Sequence, residues 1–214
     1  IAYELIEDKV GGMPAVRAMS EIAGSTVMLI AAELLSNADE SRGILLGGIT
    51  GLPPTKVLIL GAGTVAEYAA RAALGLGAEV KIFDNHLYKL RRIKHALGTS
   101  IYTSTLDNLT LREALKSADV VVGALRAEKG RVKFMVSEEL VAGMRPGSVI
   151  MDVSIDQGGC FETSEITTHD SPTFAKYGVI HYCVPNIPSR VPKTASGALS
   201  NIFTPTILRA AEEG

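Results

Sequence analysis

The sequence predicts a doubly wound α/β fold with a mostly parallel sheet, preceded by a long helix and followed by a closing helix. Short apolar runs alternate with longer helical segments along most of the chain. Runs such as Val57–Leu60 and Val120–Gly123 contain no polar residue, which is typical of parallel strands that are buried on both faces. A glycine-rich turn follows the first of these runs, so the chain can pass directly from a strand into a helix.

The composition indicates a globular chain with a large core. Of its 214 residues, 47% are hydrophobic and 21% are charged, a balance that argues against disorder. The formal net charge of −2 provides no electrostatic attraction for nucleic acid or for an anionic membrane surface. The longest apolar run, Ile22–Leu35, is shorter than a membrane span and contains Ser25, Thr26 and Glu33. We therefore expect a buried helix there, and neither a nucleic-acid nor a membrane partner.

The two cysteines, Cys160 and Cys183, are too few for a disulfide framework and lack the spacing of metal ligands. They fit a reducing cytoplasm, and no metal site is predicted. Cys160 is expected to be a small, buried apolar residue and not a nucleophile. The chain begins with Ile1 and not with Met, so we expect it to be part of a longer protein.

The segment before the glycine-rich turn is predicted to contain one strand and one helix. Residues Ile1–Ile6 alternate well enough for a short edge strand. Ser20 is a suitable N-cap for a long helix that ends near Ser36. This helix is apolar on most faces, so it should be buried between layers or at an interface. The glycine- and proline-rich stretch 43–54 is expected to be a loop; alternatively, its backbone lies close to a neighbouring subunit or domain.

The remaining elements follow from apolar runs, helical periodicity and capping residues. Pro205 should kink or break the closing helix, and residues 127–133 should form a charged loop. The predicted strands are Val57–Leu60, Glu79–Phe83, Ser100–Thr103, Val120–Gly123, Ser148–Val153 and Val179–Val184. The predicted helices are Ala66–Leu76, Leu87–Leu97, Leu109–Lys116, Ser137–Gly143 and Ala195–Glu213.

The turn after the first of these strands has the spacing G-x-G-x-x-A, formed by Gly61, Gly63 and Ala66. Between a strand and a helix, this spacing is the dinucleotide-binding signature of the Rossmann fold. Gly61 allows the tight turn, Gly63 lets the backbone approach a pyrophosphate, and Ala66 lets the helix pack on the strands. The pyrophosphate would lie at the helix N-terminus, where free N–H groups and the helix dipole favour anions. Two alternatives stay open: glycines that serve packing only, and a site for S-adenosylmethionine.

An acidic residue, Asp84, follows the second strand about twenty residues after the turn, where such a side chain binds the ribose diol of NAD. Because a carboxylate repels a 2′-phosphate, Asp84 favours NAD over NADP. Lys89 follows about one helical turn later and is expected near the adenosine ribose. Leu125 and Arg126 follow the fourth strand, at the edge of the sheet where open α/β folds bind ligands.

Five segments carry a resemblance to a known family: Met19–Gly24, Gly61–Thr64, Asp152–Glu162, His181–Asn186 and Val191–Thr194. Together they closely resemble the NAD-binding domain of bacterial alanine dehydrogenase. The wider group includes the soluble domain of proton-pumping nicotinamide nucleotide transhydrogenase. The resemblance extends over essentially all 214 residues, and the run Asp-Gln-Gly-Gly-Cys-Phe-Glu favours the alanine dehydrogenase branch.

The resemblance implies oxidative deamination of L-alanine to pyruvate and ammonia by a homo-oligomer, with NAD as the hydride acceptor. In the family, a His and a Lys of a separate substrate domain handle proton transfer and the substrate carbonyl. Neither motif is found here, so the resemblance implies a cofactor-binding domain that is catalytically incomplete. On this interpretation, residues 1–36 form a hinge segment and long connecting helix, 37–194 the Rossmann domain, and 195–214 a helix that returns toward the absent substrate domain.

The family's functional residues carry over to matching positions of this chain. Asp156 matches the catalytic aspartate, and Asn186 lies on the nicotinamide ribose or carboxamide. The family usually has a small or apolar residue at Arg126 and commonly a Ser near Leu106; Arg126 would suit an extra phosphate or a different substrate. The implied cofactor-binding residues are Ser20, Gly61, Gly63, Thr64, Val65, Asp84, Lys89, Leu125, Arg126, Ile155, Val184, Asn186 and Ile187.

Two alternative functions stay open. The first is an NAD-binding module without catalytic activity, which senses the cofactor or drives assembly. The second is the soluble domain of a transhydrogenase, which membrane-spanning sequence next to this chain in the gene would support.

Overall fold

A computed structural model of the chain describes residues 2–37, 39–125 and 135–212. These residues form one seven-stranded sheet and six α-helices. The strands are β1 (Lys56–Leu60), β2 (Glu79–Phe83), β3 (Tyr102–Ser104), β4 (Val120–Gly123), β5 (Val149–Asp152), β6 (Thr173–Lys176) and β7 (Val179–Tyr182). The helices are α1 (Pro14–Asn37), α2 (Thr64–Gly75), α3 (Leu87–Leu97), α4 (Asn108–Ser117), α5 (Glu138–Ala142) and α6 (Pro192–Glu212).

The strands lie side by side in the order β3-β2-β1-β4-β5-β7-β6. All neighbouring strands are parallel except β6 and β7, which confirms the prediction of a doubly wound, mostly parallel sheet. From β1 the chain moves outward through β2 and β3, and it then returns to the other side of β1 to form β4. The helices that follow β1 and β4 pack on opposite faces of the sheet, and open α/β folds bind ligands in the crevice at the carboxyl edge of such a pair of strands.

Alternate strand residues contribute to two separate cores, one on each face of the sheet. In β1, Val57 and Ile59 pack with residues of α1, α2 and α3, whereas Leu58 and Leu60 pack with residues of α4 and α5. All four side chains are buried, which explains why this run contains no polar residue. The carboxyl ends of the strands are thus held rigidly from both sides.

Helix α1 begins at Pro14, so the prediction that Ser20 is its N-cap is wrong. Proline suits the first turn of a helix, because its fixed φ is helical. It also lacks an N–H group, and in the first turn that group would have no partner within the helix. Ser20 lies inside the helix instead. By length and composition alone, the 24 residues of α1 could cross a membrane, but 44% of the most apolar window is buried in the protein. The buried residues between Ala15 and Leu35 support the predicted core helix.

The predicted strand at residues 1–6 is wrong, because Tyr3–Leu5 form a short 3-10 helix. The ring of Tyr3 packs edge-on against Phe203 of α6, with 5.5 Å between the ring centroids. Leu5 remains 67% exposed. The apolar alternation of this segment therefore does not correspond to a strand of the sheet, and Tyr3 is the residue of it that packs on α6.

Strand β6 has no counterpart among the predicted strands. It pairs antiparallel with β7 through a two-residue turn, Tyr177-Gly178, in which both residues have positive φ. Asn-Gly and Asp-Gly are the usual signals for such a turn, and Tyr-Gly is not. Because β6 is only partly buried at the edge of the sheet, its sequence lacks the apolar run that identifies the inner strands.

The other predicted elements are present, and β2, α3 and β4 have their predicted bounds. Ser137 caps α5 as predicted, with its hydroxyl accepting from the Leu140 N–H. The stretch 43–54 is a loop, and its Gly47 packs against the Leu76 carbonyl. Helix α6 continues through Pro205, so the helix does not break there, and the kink stays a prediction. The predicted charged loop 127–133 lies outside the described residues, and the division into domains stays a prediction.

Candidate dinucleotide-binding site

The glycine-rich turn lies at the crevice between the carboxyl ends of β1 and β4. Gly61 has a φ of +111°, and a Cβ there would lie 2.5 Å from the carbonyl oxygen of Ala124. No other residue fits this backbone and this close approach. The predicted role of Gly61 in a tight turn is therefore confirmed, and the turn brings the loop of β1 against the loop of β4.

The next glycine, Gly63, is the N-cap of α2 and provides no side chain to satisfy the first N–H groups of the helix. A Cβ built on Gly63 would meet nothing within 4 Å, so the space in front of the helix is open. Thr64 and Val65 form the first turn. An open helix N-terminus with a glycine cap fits a phosphate group, because N–H donors and the helix dipole point into the same space.

The carboxylate of Asp84 is buried and holds this turn in place. Its Oδ2 accepts from the Ala62 N–H at 2.9 Å, and its Oδ1 accepts from the His86 N–H at 2.7 Å and lies 3.0 Å from the His86 ring Nδ1. The residue is 4% exposed. A carboxylate offers about four acceptor positions. These three contacts therefore leave capacity on Oδ2 for a ribose hydroxyl, as the prediction for Asp84 requires.

Arg92 of α3 is a further residue at the turn, which the sequence analysis did not identify. Its Nη2 donates to the carbonyl oxygen of Ala62 at 2.9 Å, and its Nη1 lies 4.0 Å from Glu67 of α2. Asp84 and Arg92 therefore hold the Ala62 backbone from its N–H and its C=O sides. No sequence signal separates Arg92 from the other basic residues of α3. Lys89 lies in the first turn of that helix, with its Nζ 5.9 Å from the ring centroid of Tyr88.

Beyond the crevice, the loops after β4 and β5 are tied together. The hydroxyl of Ser154 donates to the carbonyl oxygen of Leu125 at 2.6 Å. Ile155 and Asp156 follow in a short 3-10 helix, in which Ile155 is buried and Asp156 is exposed. Leu125 and Ile155 therefore lie at the same edge of the sheet as the glycine-rich turn. Arg126 lies outside the described residues.

The loop that carries Asp156 is organised by Asp152, a residue that the sequence analysis did not single out. Its carboxylate accepts from the Ser154 N–H at 3.2 Å, the Cys160 N–H at 2.8 Å and the Ser164 hydroxyl at 2.6 Å. Burial raises the pKa of Asp152, and these hydrogen bonds oppose that shift. The sequence signal that could have identified Asp152 is its position as an acidic residue directly at the end of a buried strand.

The remaining predicted contacts follow β7 or lie on α1. Val184 and Ile187 are buried, whereas Asn186 is exposed and has a φ of 57°, as N-cap of a short 3-10 helix over Ile187–Arg190. This 3-10 helix contacts α1, on which Ser20 is partly buried. The structure thus gathers the predicted residues of β1, β2, β4, β5 and β7 at one edge, with α1 beside the last of them.

The two thiols in this part of the chain lie in surroundings that disfavour the thiolate. Cys160 and Cys183 are both free and buried. Burial raises the pKa of each thiol to about 12. The side chain of Cys160 instead packs against Gly123, where a Cβ would lie 3.1 Å from its Sγ. Because the thiolate is the nucleophilic form, the prediction that Cys160 is a packing residue agrees with this site.

Comparison with known proteins identifies the family. The chain matches the family described as "Alanine dehydrogenase/PNT, C-terminal domain" over residues 27–214. Alanine dehydrogenase of Mycolicibacterium smegmatis is 42% identical over 214 residues, which are 100% of this chain and 58% of that protein. The chain thus spans little more than half the length of the curated relatives that it matches.

Solved structures similar to the chain include an alanine dehydrogenase and a transhydrogenase. An L-alanine dehydrogenase superposes with a TM-score of 0.94 and 41% identity, covering 100% of this chain and 59% of the other. A transhydrogenase from Sinorhizobium meliloti has a TM-score of 0.77 and 21% identity, covering 92% and 56%, and shares the fold. The motif, the sheet order and the family match agree with the resemblance seen in the sequence: the chain belongs to the alanine dehydrogenase/PNT family, in which it corresponds to the C-terminal domain.

Proposed function

We propose that this chain is the NAD-binding domain of an alanine dehydrogenase-like oxidoreductase, which as a whole converts L-alanine, NAD and water to pyruvate, ammonia and NADH. The observation that carries the proposal is the turn over residues 61–65, with open space at Gly63 and a buried Asp84 beneath it. The relatives support the alanine dehydrogenase branch, since their identity to this chain is 41–42%, against 21% for the transhydrogenase structure.

Each part of NAD has protein groups that fit it. The N–H groups at the start of α2, from Thr64 and Val65, suit the pyrophosphate. The free acceptor capacity of Asp84 suits the adenosine ribose, and Lys89 lies nearby in the chain, in the first turn of α3. The nicotinamide half would extend across the crevice toward the loops after β4, β5 and β7, where Leu125, Ile155, Val184, Asn186 and Ile187 lie and where Ser20 approaches from α1.

Asp156 is the proposed catalytic residue of this chain. NAD, when bound, supplies the acceptor for the hydride that leaves the α-carbon of the substrate. The exposed carboxylate of Asp156 is available to accept hydrogen bonds from the amino group or from the water that replaces it. Proton transfer would fall to the His and Lys that the family carries in its substrate domain. The chain alone should therefore bind NAD without oxidising alanine, and a cytoplasmic homo-oligomer stays a prediction for the whole protein.

Calorimetric titration of the purified chain with NAD and with NADP tests this proposal. We expect NAD to bind and NADP to bind at least about tenfold more weakly, because the Asp84 carboxylate would face a 2′-phosphate across a few ångströms. Equal or tighter binding of NADP would show that basic residues of α3 or Arg126 hold that phosphate. Binding of neither nucleotide would contradict the assignment of the site to this chain.

The same preparation separates the proposal from its alternatives. Addition of L-alanine and NAD should produce no NADH, whereas the complete protein should produce it. NADH formation by the chain alone would contradict its catalytic incompleteness. NAD binding by a complete protein that does not oxidise alanine would favour the non-catalytic module.

A further inference from the structure

The last residue of β5, Asp152, is only 1% exposed. A carboxylate at such a position is costly unless donors surround it. Three donors do so here: the backbone N–H groups of Ser154 and Cys160 and the hydroxyl of Ser164. The first precedes Asp156 in the chain and the other two follow it. The carboxylate therefore closes the loop that presents Asp156.

The backbone of this loop is shaped to reach Asp152. Gly158 and Gly159 have φ values of +109° and +79°, which favour glycine. A Cβ on Gly159 would lie 2.8 Å from Oδ2 of Asp152, so only a glycine lets the chain pass this close. The close passage brings the N–H of the following residue, Cys160, to 2.8 Å from the same oxygen.

The loop is also fixed relative to the neighbouring strand. Ser154, whose N–H donates to Asp152, also donates its hydroxyl to the carbonyl oxygen of Leu125. Asp152 thus acts on two chain segments at once: the 3-10 helix with Ile155 and Asp156, and the end of β4. Neither Gly63 nor Asp84 at the adenosine side shares a described hydrogen bond with this network.

We propose that Asp152 is a positioning residue that holds the Ile155–Asp156 segment and Leu125 against the nicotinamide half of the dinucleotide. The inference rests on the proposed function, because that function places the nicotinamide at this loop. The positioning is specific to one half of the ligand: the adenosine ribose and the pyrophosphate bind through β1, α2 and β2. ADP, which lacks the nicotinamide and its ribose, therefore serves as a probe of the half that Asp152 does not touch.

The test is a calorimetric titration of Asp152→Asn and Ser164→Ala with NAD and with ADP. In Asp152→Asn, an NH2 group replaces one of the two carboxylate oxygens. Both oxygens accept hydrogen bonds in the native protein, so the NH2 group would face a donor where an acceptor is needed. Ser164→Ala removes only one hydrogen bond, from a partly buried residue, and should leave the fold intact. We expect NAD affinity to fall about tenfold in either variant, a loss in line with a charged hydrogen bond, while ADP affinity stays within about twofold. Ser171→Ala, at an exposed serine of the same region, is the control and should change neither affinity.

A parallel loss of NAD and ADP affinity would overturn the inference, because it would show a general structural role. Unchanged NAD affinity in Ser164→Ala would overturn it as well. If Asp152→Asn does not fold, as judged by its thermal transition, Ser164→Ala decides alone. Failure of the unsubstituted chain to bind NAD would instead contradict the proposed function, and the inference with it. Normal NAD binding by the unsubstituted chain with no difference between NAD and ADP in the variants contradicts the inference only.

Discussion

At the scale of single residues, Asp84 combines a structural task with a proposed binding task. Its Oδ2 accepts from the Ala62 N–H and so fixes the glycine-rich turn, and we propose that the same carboxylate also accepts from a ribose hydroxyl. Arg92 holds the carbonyl of the same residue from the opposite side. Loss of Asp84 should therefore weaken both the ribose contact and the geometry of the phosphate-binding turn.

We expect Asp84→Asn to weaken NAD binding by roughly 1.5–3 kcal/mol, the range for hydrogen bonds to charged groups. The two N–H groups of Ala62 and His86 donate to different oxygens of Asp84. In the variant, an NH2 group replaces one of these oxygens, and because it cannot accept a hydrogen bond, one of the two bonds is lost. Calorimetric titration of the variant with NAD measures the change. Glu79→Gln is a matched control, since Glu79 is an exposed acid at the start of β2, the strand that Asp84 follows. An unchanged affinity in Asp84→Asn would show that the ribose does not bind at the end of β2.

Sequence reasoning found Gly61, Gly63 and Asp84 because their spacing along one strand-turn-helix-strand unit is itself the signal. It did not find Arg92 or Asp152. The contact of Arg92 joins α3 to a turn thirty residues earlier, and that pairing exists only after β1 and β2 align. Asp152 was visible as an acid at a strand end, but its partners Cys160 and Ser164 depend on the path of an irregular loop.

At the scale of the elements, the close packing of α1 on α2 positions the phosphate-binding end of α2. The contact is made at Gly24 of α1. A Cβ on Gly24 would lie 2.8 Å from the Cβ of Tyr68 and closer still to the carbonyl oxygen of Val65. Because Val65 belongs to the first turn of α2, a shift of α1 here would be transmitted to the helix N-terminus.

We expect Gly24→Ala to destabilise the protein by about 1–3 kcal/mol, since the added methyl overpacks a helix interface with backbone on the other side. Urea unfolding followed by far-UV circular dichroism measures the change. The matched control is Gly197→Ala in α6, where a Cβ meets nothing within 4 Å. At that position alanine has the better helix propensity, so the substitution should raise the free energy of unfolding by about 0.5–1 kcal/mol. Equal effects of the two substitutions would contradict the packing role of Gly24.

The buried elements were predictable and the peripheral ones were not, for a physical reason. Strands β2 and β4 and helix α3 have their predicted bounds because two-sided burial or an amphipathic face leaves a strong pattern. The edge strand β6 is only partly buried, so its sequence resembles that of a loop. The 3-10 helix Tyr3–Leu5 buries no residue, so its apolar alternation does not indicate a strand of the sheet. The predicted start of α1 is wrong because Ser20 fits the pattern of an N-cap, whereas the helix begins at Pro14.

At the scale of the whole molecule, the order of the strands places the site. In the sheet β3-β2-β1-β4-β5-β7-β6, the chain adds strands on one side of β1 and then, from β4 onward, on the other side. Because these inner strands are parallel, the loops that follow them lie at one carboxyl edge. The half built from β1 and β2 supplies groups that fit the adenosine and phosphates. The half built from β4, β5 and β7 supplies the loops at which we propose that the nicotinamide binds. Both halves are needed for a dinucleotide, which explains why the predicted contacts are spread along the chain.

We propose that one NAD molecule spans this edge, with its adenosine at β2 and its nicotinamide at β5. A crystal structure of the chain with NAD tests it most directly. We predict the pyrophosphate at the N–H groups of Thr64 and Val65, a ribose hydroxyl on Oδ2 of Asp84, and the nicotinamide beside Ile155 and Asp156. NAD bound in the opposite direction, or at any place other than the carboxyl ends of β1 and β4, would contradict the claim.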